Sequence, residues 1–248
     1  MPDLALIRPR LFDELSGYVA AFTTRRGGVS PAPFDTLNLG LNTADAPERV
    51  WENRRRVAEA LAMPLSCWVT AGQVHGNRVA LVRQPGHVPG VDALVTDRPG
   101  LLLGVTVADC AAVLLADPEA GVIGAAHAGW RGAASGVLFE TLRLMQELGA
   151  RAERIRAYIS PAIGACHFEV GAEVAARFPE SVVLPGPNGR AHVDLKRFLG
   201  DALLAFGLDP EHLEVSSACT LDDPERFFSH RGAQGRTGRM MGLIGRSA

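Results

Sequence analysis

One stretch constrains the fold more than any other: "LLLGVTVADCAAVLLADPEAGVIGAAHAGWRG", beginning at Leu101. Residues 101–115 and 121–126 are apolar and β-like, and "ADPEAG" joins them. This Pro/Gly connector is short enough for an antiparallel hairpin. Further strands are expected over residues 18–24 and 155–159, and in "LEVSSACT". "CWVTAGQVHGNRVALV" reads as two short strands around a turn, with Val69, Val74, Val79 and Leu81 as core candidates. Helical spacing marks residues 48–61 and 137–148, together with "GAEVAARF" and "DLKRFLGDALLAFGL". A final strand is expected in the last apolar residues of the basic, Gly-rich tail. Strands and helices are interleaved, but several strand pairs are joined by tight turns. Mixed β-sheets flanked by helices, of α/β (α+β-like) class, fit this better than a doubly wound parallel sheet. No repeat or linker divides residues 1–248, so one domain is expected.

Bulk properties narrow the function. Hydrophobic residues are 47% of the 248, enough for a large core, and the net charge of −2 offers no argument for nucleic acid or an anionic membrane. No basic region followed by a long apolar run opens the chain, and no run approaches a membrane span. A cytoplasmic setting is expected. There the four cysteines, with no CxxC pair among them, are free thiols by default.

Three segments share one design, an apolar run leading to a soft or polar ligand, with glycine close by in the two histidine segments. They are "GQVHG" with His75, "VADC" with Cys110 and "AAHAGWRG" with His127. The gaps far exceed those of zinc-finger ligand pairs, so such ligands would be gathered by the fold, as in an enzyme. Two imidazoles and a thiolate suit Zn²⁺ and leave one tetrahedral position open. The same residues also fit a metal-free site with Cys110 as nucleophile and His127 as base, or a plain core cysteine with two buried histidines. Spacing leaves these readings open. Asp109 is a candidate second partner or acid/base group.

The blocks "TTRRGGVSPAPFDTLNLG", "QVHGNRV", "DALVTDRPGLLLGVTVADCAAVLLADPEAGVIGAAHAGWRG", "ISPAIGACHFEVGAEV" and "FFSHRGAQGRTGR" occur in this order. Together they resemble the multicopper polyphenol oxidase (laccase-domain) family. Its bacterial members are also described as purine nucleoside phosphorylases and peptidoglycan editing factors. The resemblance implies a sandwich similar to that of the Cys/His toxin deamidases. It also implies a metal triad at His75, Cys110 and His127. The implied activity is phosphorolysis of purine nucleosides with accompanying adenosine deamination, so purine nucleosides and phosphate are the expected partners. Copper is implied by the older family name. Multicopper chemistry needs a cluster of further histidines, whereas this chain has seven and no HxH pair. Two departures stand out: Ser160-Pro161 replaces the usual Gly-Pro, and the tail carries an extra residue with Gly232 in place of the second Arg. They leave an anion role for Arg231 or Arg236 open.

Other candidates follow from local chemistry. Arg25, beside two glycines, is expected to bind phosphate. Asn38 is expected to bind substrate, on family grounds. Gln73, two residues before His75, shares its side if the segment is a strand. Trp130 and Arg131 follow His127, and a helix starting near Gly132 would favour an anion at that turn. Asp92 and Asp97 read as turn residues, and Cys166, Cys67 and Cys219 as structural. His167 is a candidate pocket residue, and His230 either reaches the site or caps a turn.

Overall fold

A computed structural model describes residues 4–247. The chain runs β1 (Leu6–Ile7), α1 (Arg10–Asp13), β2 (Tyr18–Thr23), α2 (Pro47–Leu61), β3 (Trp68–Ala71), β4 (Val79–Leu81), β5 (Gly86–Val88), β6 (Ala93–Thr96), β7 (Leu102–Val107), β8 (Ala111–Asp117) and β9 (Val122–Ala128). It continues through α3 (Trp130–Ala134), α4 (Val137–Glu147), β10 (Arg156–Ile159), β11 (Glu169–Val170), α5 (Ala172–Ala175), β12 (Val183–Pro185), β13 (Ala191–Val193), α6 (Leu195–Ala205), β14 (Leu213–Val215) and β15 (Met240–Arg246).

Two six-stranded mixed sheets form the body. The first has the order β1-β2-β15-β7-β3-β5 and the second β14-β10-β8-β9-β6-β4, with β11, β13 and β12 in a small third sheet. The "ADPEAG" connector does close an antiparallel hairpin, pairing Ala111 with Ala128 and Asp117 with Val122. Strand β8 is buried on both faces, which is why its sequence reads as an unbroken apolar run. Ala112, Leu114 and Ala116 face the first sheet and pack with Phe22, Leu103, Val105 and Ile244. Their neighbours Ala111, Val113 and Leu115 pack under α4 and α6 with Leu138, Leu142, Met145, Leu199 and Leu203. On the far side, α2 covers the first sheet through Val57, Ala58 and Leu61.

Several expectations need correction. Residues 101–115 are not one strand. The chain breaks at Ala108-Asp109-Cys110 and crosses from β7 in the first sheet to β8 in the second. Asp109 turns this corner with φ +83°. Strands β3 and β4 do not pair around a turn but join opposite sheets. Val74, in the segment between them, is 53% exposed, Leu81 is also exposed and Val79 only half-buried. "LEVSSACT" holds a strand of only three residues. The tail strand β15 lies inside the first sheet between β2 and β7, each antiparallel to it.

The two sheets approach most tightly at Gly242 of β15, where an added Cβ would lie 2.5 Å from the Cβ of Ala112. Gly242→Ala is expected to destabilise the protein by about 1–3 kcal/mol through overpacking. Gly200→Ala, inside α6 with only ordinary contact at 3.7 Å, is expected to be neutral or stabilising because it adds helix propensity. Thermal unfolding of both variants checks this, at roughly 2–4 °C for each kcal/mol.

Candidate metal centre and its cavity

His75, Cys110 and His127 come from three separate places. Cys110 sits at the sheet-to-sheet corner, His127 near the end of β9, and His75 in the loop between β3 and β4. One ligand atom from each lies within 4.8 Å of the others. The two imidazoles meet edge to face with centroids 4.8 Å apart. His127 is buried, Cys110 half-buried and His75 exposed, so the group opens outward on one side.

A residue read from sequence as a turn former organises this arrangement. Asp92 is completely buried. Its carboxylate accepts from the backbone N–H of Val74 (3.2 Å), His75 (2.9 Å) and Gly76 (2.8 Å), and lies 2.8 Å from Nδ1 of His127. Burial alone would raise its pKa, but these hydrogen bonds outweigh it and hold Asp92 below the ordinary carboxylate range. With Nδ1 engaged, Nε2 of His127 is left for the Cys110 side. This carboxylate–histidine pairing is what a metal-ligating imidazole commonly uses. A carboxylate partner for one histidine was foreseeable in kind. Which aspartate supplies it depends on β6 lying beside β9.

The donor set passes a steric test as well. Gly129 lines the cluster without a side chain. A Cβ there would lie 2.8 Å from Sγ of Cys110, 3.4 Å from Cδ2 of His75 and 3.7 Å from Nε2 of His127. Glycine therefore leaves open the space that an ion would share with the three donors. Two imidazoles and a thiol suit Zn²⁺. Burial disfavours a charged thiol, yet His127 and the hydrogen bonds of both histidines pull Cys110 down to about 6. Burial likewise opposes the charge on His127, but Cys110 and Asp92 raise it to about 9.

Beside the cluster lies a cavity of about 310 Å³, lined by Asn42, Gln73, Thr106, Ile163, Phe168, His230, Arg231 and Arg239 besides the cluster itself. Asn42, Gln73 and Thr106 also border a second hollow of about 600 Å³, walled by Trp51, Trp68 and Leu65.

Other expected site residues lie elsewhere or are already occupied. Arg25 lines neither cavity. Its guanidinium donates to the carbonyls of Asp35 and Pro224, pairs with the Asp35 carboxylate at 3.1 Å and lies over Phe228. Asn38 is buried. Its amide donates to Thr43 and Asp45, and its oxygen accepts from the N–H of Gly40 and Arg239. Both residues hold loops, because a buried or loop-spanning polar group must first satisfy its own hydrogen bonds. Arg131 is exposed and lies over Trp130 at 4.3 Å. The short helix there starts at Trp130, not near Gly132. Gln73 does reach the cavity, but with φ +20° in a loop. Its amide clamps the N–H, hydroxyl and carbonyl of Thr106. Asp109 borders the cluster with both oxygens engaged, one by the Thr220 hydroxyl at 2.6 Å and one by the Arg231 N–H at 2.7 Å.

Arg239 was not singled out from sequence. It is the last residue of "GRTGR" and enters the cavity because β15 begins immediately after it. Cys166, expected in the core, is exposed on a turn, and Cys219 is buried beside it.

With this geometry established, relatives can be compared. Residues 19–247 match the family described as multi-copper polyphenol oxidoreductase laccase. The chain belongs to this family. Among laccase-type relatives, a Deinococcus radiodurans protein named purine nucleoside phosphorylase is 44% identical over 228 residues, covering 91% of this chain and 88% of its own. Purine nucleoside phosphorylase YlmD of Geobacillus stearothermophilus is 41% identical over 249 residues, covering 93% and 91%. The crystal structure of YlmD from that organism superimposes with a TM-score of 0.90 at 39% identity, over 94% of this chain and 93% of that one. Bacillus licheniformis hypothetical protein YfiH superimposes with a TM-score of 0.91 at 34% identity, over 98% and 97%.

Two measurements probe the cluster. Asp92→Asn is expected to weaken metal binding about 10–100-fold, read by chelator competition, because the amide cannot serve the same four donors. In metal-depleted protein, a depressed thiol is mostly thiolate at neutral pH. Alkylation of Cys110 should therefore rise through about pH 6, and His127→Asn should move that midpoint upward. Mass spectrometry resolves Cys110 from Cys67 and Cys166, whose thiols are shifted upward, by burial in the first place.

Proposed function

We propose that residues 1–248 form one catalytic domain, a zinc-dependent purine nucleoside phosphorylase with His75, Cys110 and His127 as metal ligands. The reaction converts adenosine, inosine or guanosine with phosphate to free base and ribose 1-phosphate, and methylthioadenosine to adenine and 5-methylthioribose 1-phosphate. Adenosine deamination would accompany it at the same site. The observation that carries this reading is the His₂Cys cluster opening onto a cavity, in a chain 44% identical to a relative named purine nucleoside phosphorylase.

Zn²⁺ held there would act as a Lewis acid toward a phosphate or ribose oxygen. The protein's own groups supply the rest. Asp92 orients His127 and the loop of His75. Arg239 and His230 line the cavity where an anion would sit, whereas Arg25 lies outside it, paired with Asp35. The apolar walls Ile163 and Phe168 would exclude water from the bond being broken. Asp109 acts as a positioning residue, since Thr220 and Arg231 already occupy its carboxylate. A copper polyphenol oxidase is less well supported, because only His75 and His127 among the histidines join this cluster.

The depressed Cys110 thiol beside a raised His127 favours one alternative, a metal-free cysteine amidohydrolase or an editing enzyme for peptidoglycan precursors. The two readings separate cleanly. Under the first, Cys110→Ala loses one zinc per chain relative to the parent and slows phosphate-dependent hypoxanthine release from inosine by about 10²-fold or more. A folded Cys110→Ala protein that turns inosine over at the parental rate would sink it. Activity that survives exhaustive chelation but not alkylation of Cys110 would favour the second.

A further inference from the structure

A second group of ligand-type side chains lies outside this site. Cys166, His167, Cys219 and Asp222 each offer one ligand atom, and all four atoms lie within 4.8 Å of one another. We propose that these four residues bind a structural Zn²⁺ ion that clamps two loops together behind the cavity wall.

The backbone brings the pairs together. Residues 164–167 form a turn in which Gly164 O accepts from the N–H of both His167 and Phe168. A parallel bridge joins Ala162 to Cys219, and the Thr220 N–H donates to Ala162 O. Cys166-His167 therefore faces Cys219-Thr220-Leu221-Asp222 across a loop junction instead of lying on a strand with opposed side chains. The second pair has the C-x₂-D form of a zinc knuckle, with a carboxylate in one position.

The chemistry is that of a closed site. Two thiols, an imidazole and a carboxylate make a four-donor tetrahedral set with no position left for substrate. Nε2 of His167 already lies 2.5 Å from Oδ1 of Asp222, and Sγ of Cys166 lies 3.9 Å from Oδ2. The Gly164 N–H donates to Sγ of Cys219 at 3.1 Å, which fixes where that sulfur points. A Cβ on Gly164 would lie 3.3 Å from the sulfurs of both cysteines, so glycine again leaves room at the donors. Two thiolates and a carboxylate around Zn²⁺ leave one negative charge. Lys196 of α6 offsets it, donating to the carbonyls of Ser216 and Ala218 in the loop that leads into Cys219 at 2.7 and 2.9 Å.

The position suggests what the ion stabilises. The residues between Ala162 and Phe168 include Ile163, and Ile163 and Phe168 both line the cavity. Thr220, next to Cys219, donates to Asp109 beside Cys110. Zinc at the cluster would thus fasten the cavity wall to the loop that holds the Asp109 corner, without touching substrate.

The test uses a background that reads this site alone. Purified Cys110→Ala protein, dialysed against a weak chelator, is expected to keep about one zinc per chain by elemental analysis. Adding Cys166→Ser or His167→Ala, both at positions with solvent access and so compatible with folding, should remove that zinc and lower Tm. With Co²⁺ in place of Zn²⁺, the Cys110→Ala protein should show sulfur-to-cobalt charge-transfer absorption that Cys166→Ser weakens. Three results would overturn the proposal: no zinc in Cys110→Ala, zinc that survives both added substitutions, or a Cys166–Cys219 disulfide in the intact mass of the purified protein.

Discussion

The carboxylate of Asp92 ties the loop that carries His75 to the end of β9 that carries His127. It is wholly removed from water, and an ionised carboxylate there is tolerated only when its acceptor capacity is met. Four donors meet it: three successive backbone N–H groups of the loop carrying His75, and the ring of His127. The Asp92 carbonyl also accepts from the backbone N–H of His127 at 2.7 Å. One residue at the edge of β6 thus sets the position of both imidazoles. If the carboxylate is lost, residues 74–76 lose three backbone hydrogen bonds, and the loop after β3 is held by its flanks, through the Gln73 clamp on Thr106 and the bond from Asn77 to the Ser135 carbonyl.

The second constraint is the corner at Ala108-Asp109-Cys110. An apolar run long enough for one strand is divided between two sheets, and the division point carries an acid and a thiol. At the corner the thiol meets two histidines, and the acid accepts hydrogen bonds from two later loops. Gln73, His75 and Asp109 all adopt positive φ, a conformation that costs non-glycine residues energy and that clusters at sites where surrounding contacts over-determine the backbone. These contacts are the Gln73 clamp on Thr106, the Asp92 cradle under His75 and the pair of donors on Asp109. The residues that appear misplaced in a hydrophobic sequence are those held most firmly.

A parallel economy governs the polar residues drawn in from the first loop and the tail. Arg25 and Asn38 stand in glycine-rich, ligand-like sequence, yet their hydrogen bonds tie loops to loops. Arg239 sits at the opposite end of the chain and reaches the cavity because β15 inserts between β2 and β7. The tail is thereby part of the cavity wall, and His230 and Arg231 come with it.

The local pattern of residues determined a good deal. Continuous apolar runs marked β8 and β9, the six-residue connector dictated their antiparallel pairing, and 3.6-residue periodicity marked α2, α4 and α6. His75, Cys110 and His127 were legible as candidates because each follows an apolar run, and the family resemblance grouped them. Tertiary structure alone decided the rest. Whether β3 and β4 pair or part depends on which sheet has a free edge, and no local pattern encodes that. Asp92 and Asp97 flank β6 alike in sequence, but only Asp92 lies at the end that meets His127 of β9. Cys166 and His167 could share a ligand site only if their segment turns, and Cys219 and Asp222 meet them only through the bridge at Ala162. A sequence lists which groups can ligate, donate or accept. Which of them share one small volume is set by the packing of strands far apart in the chain.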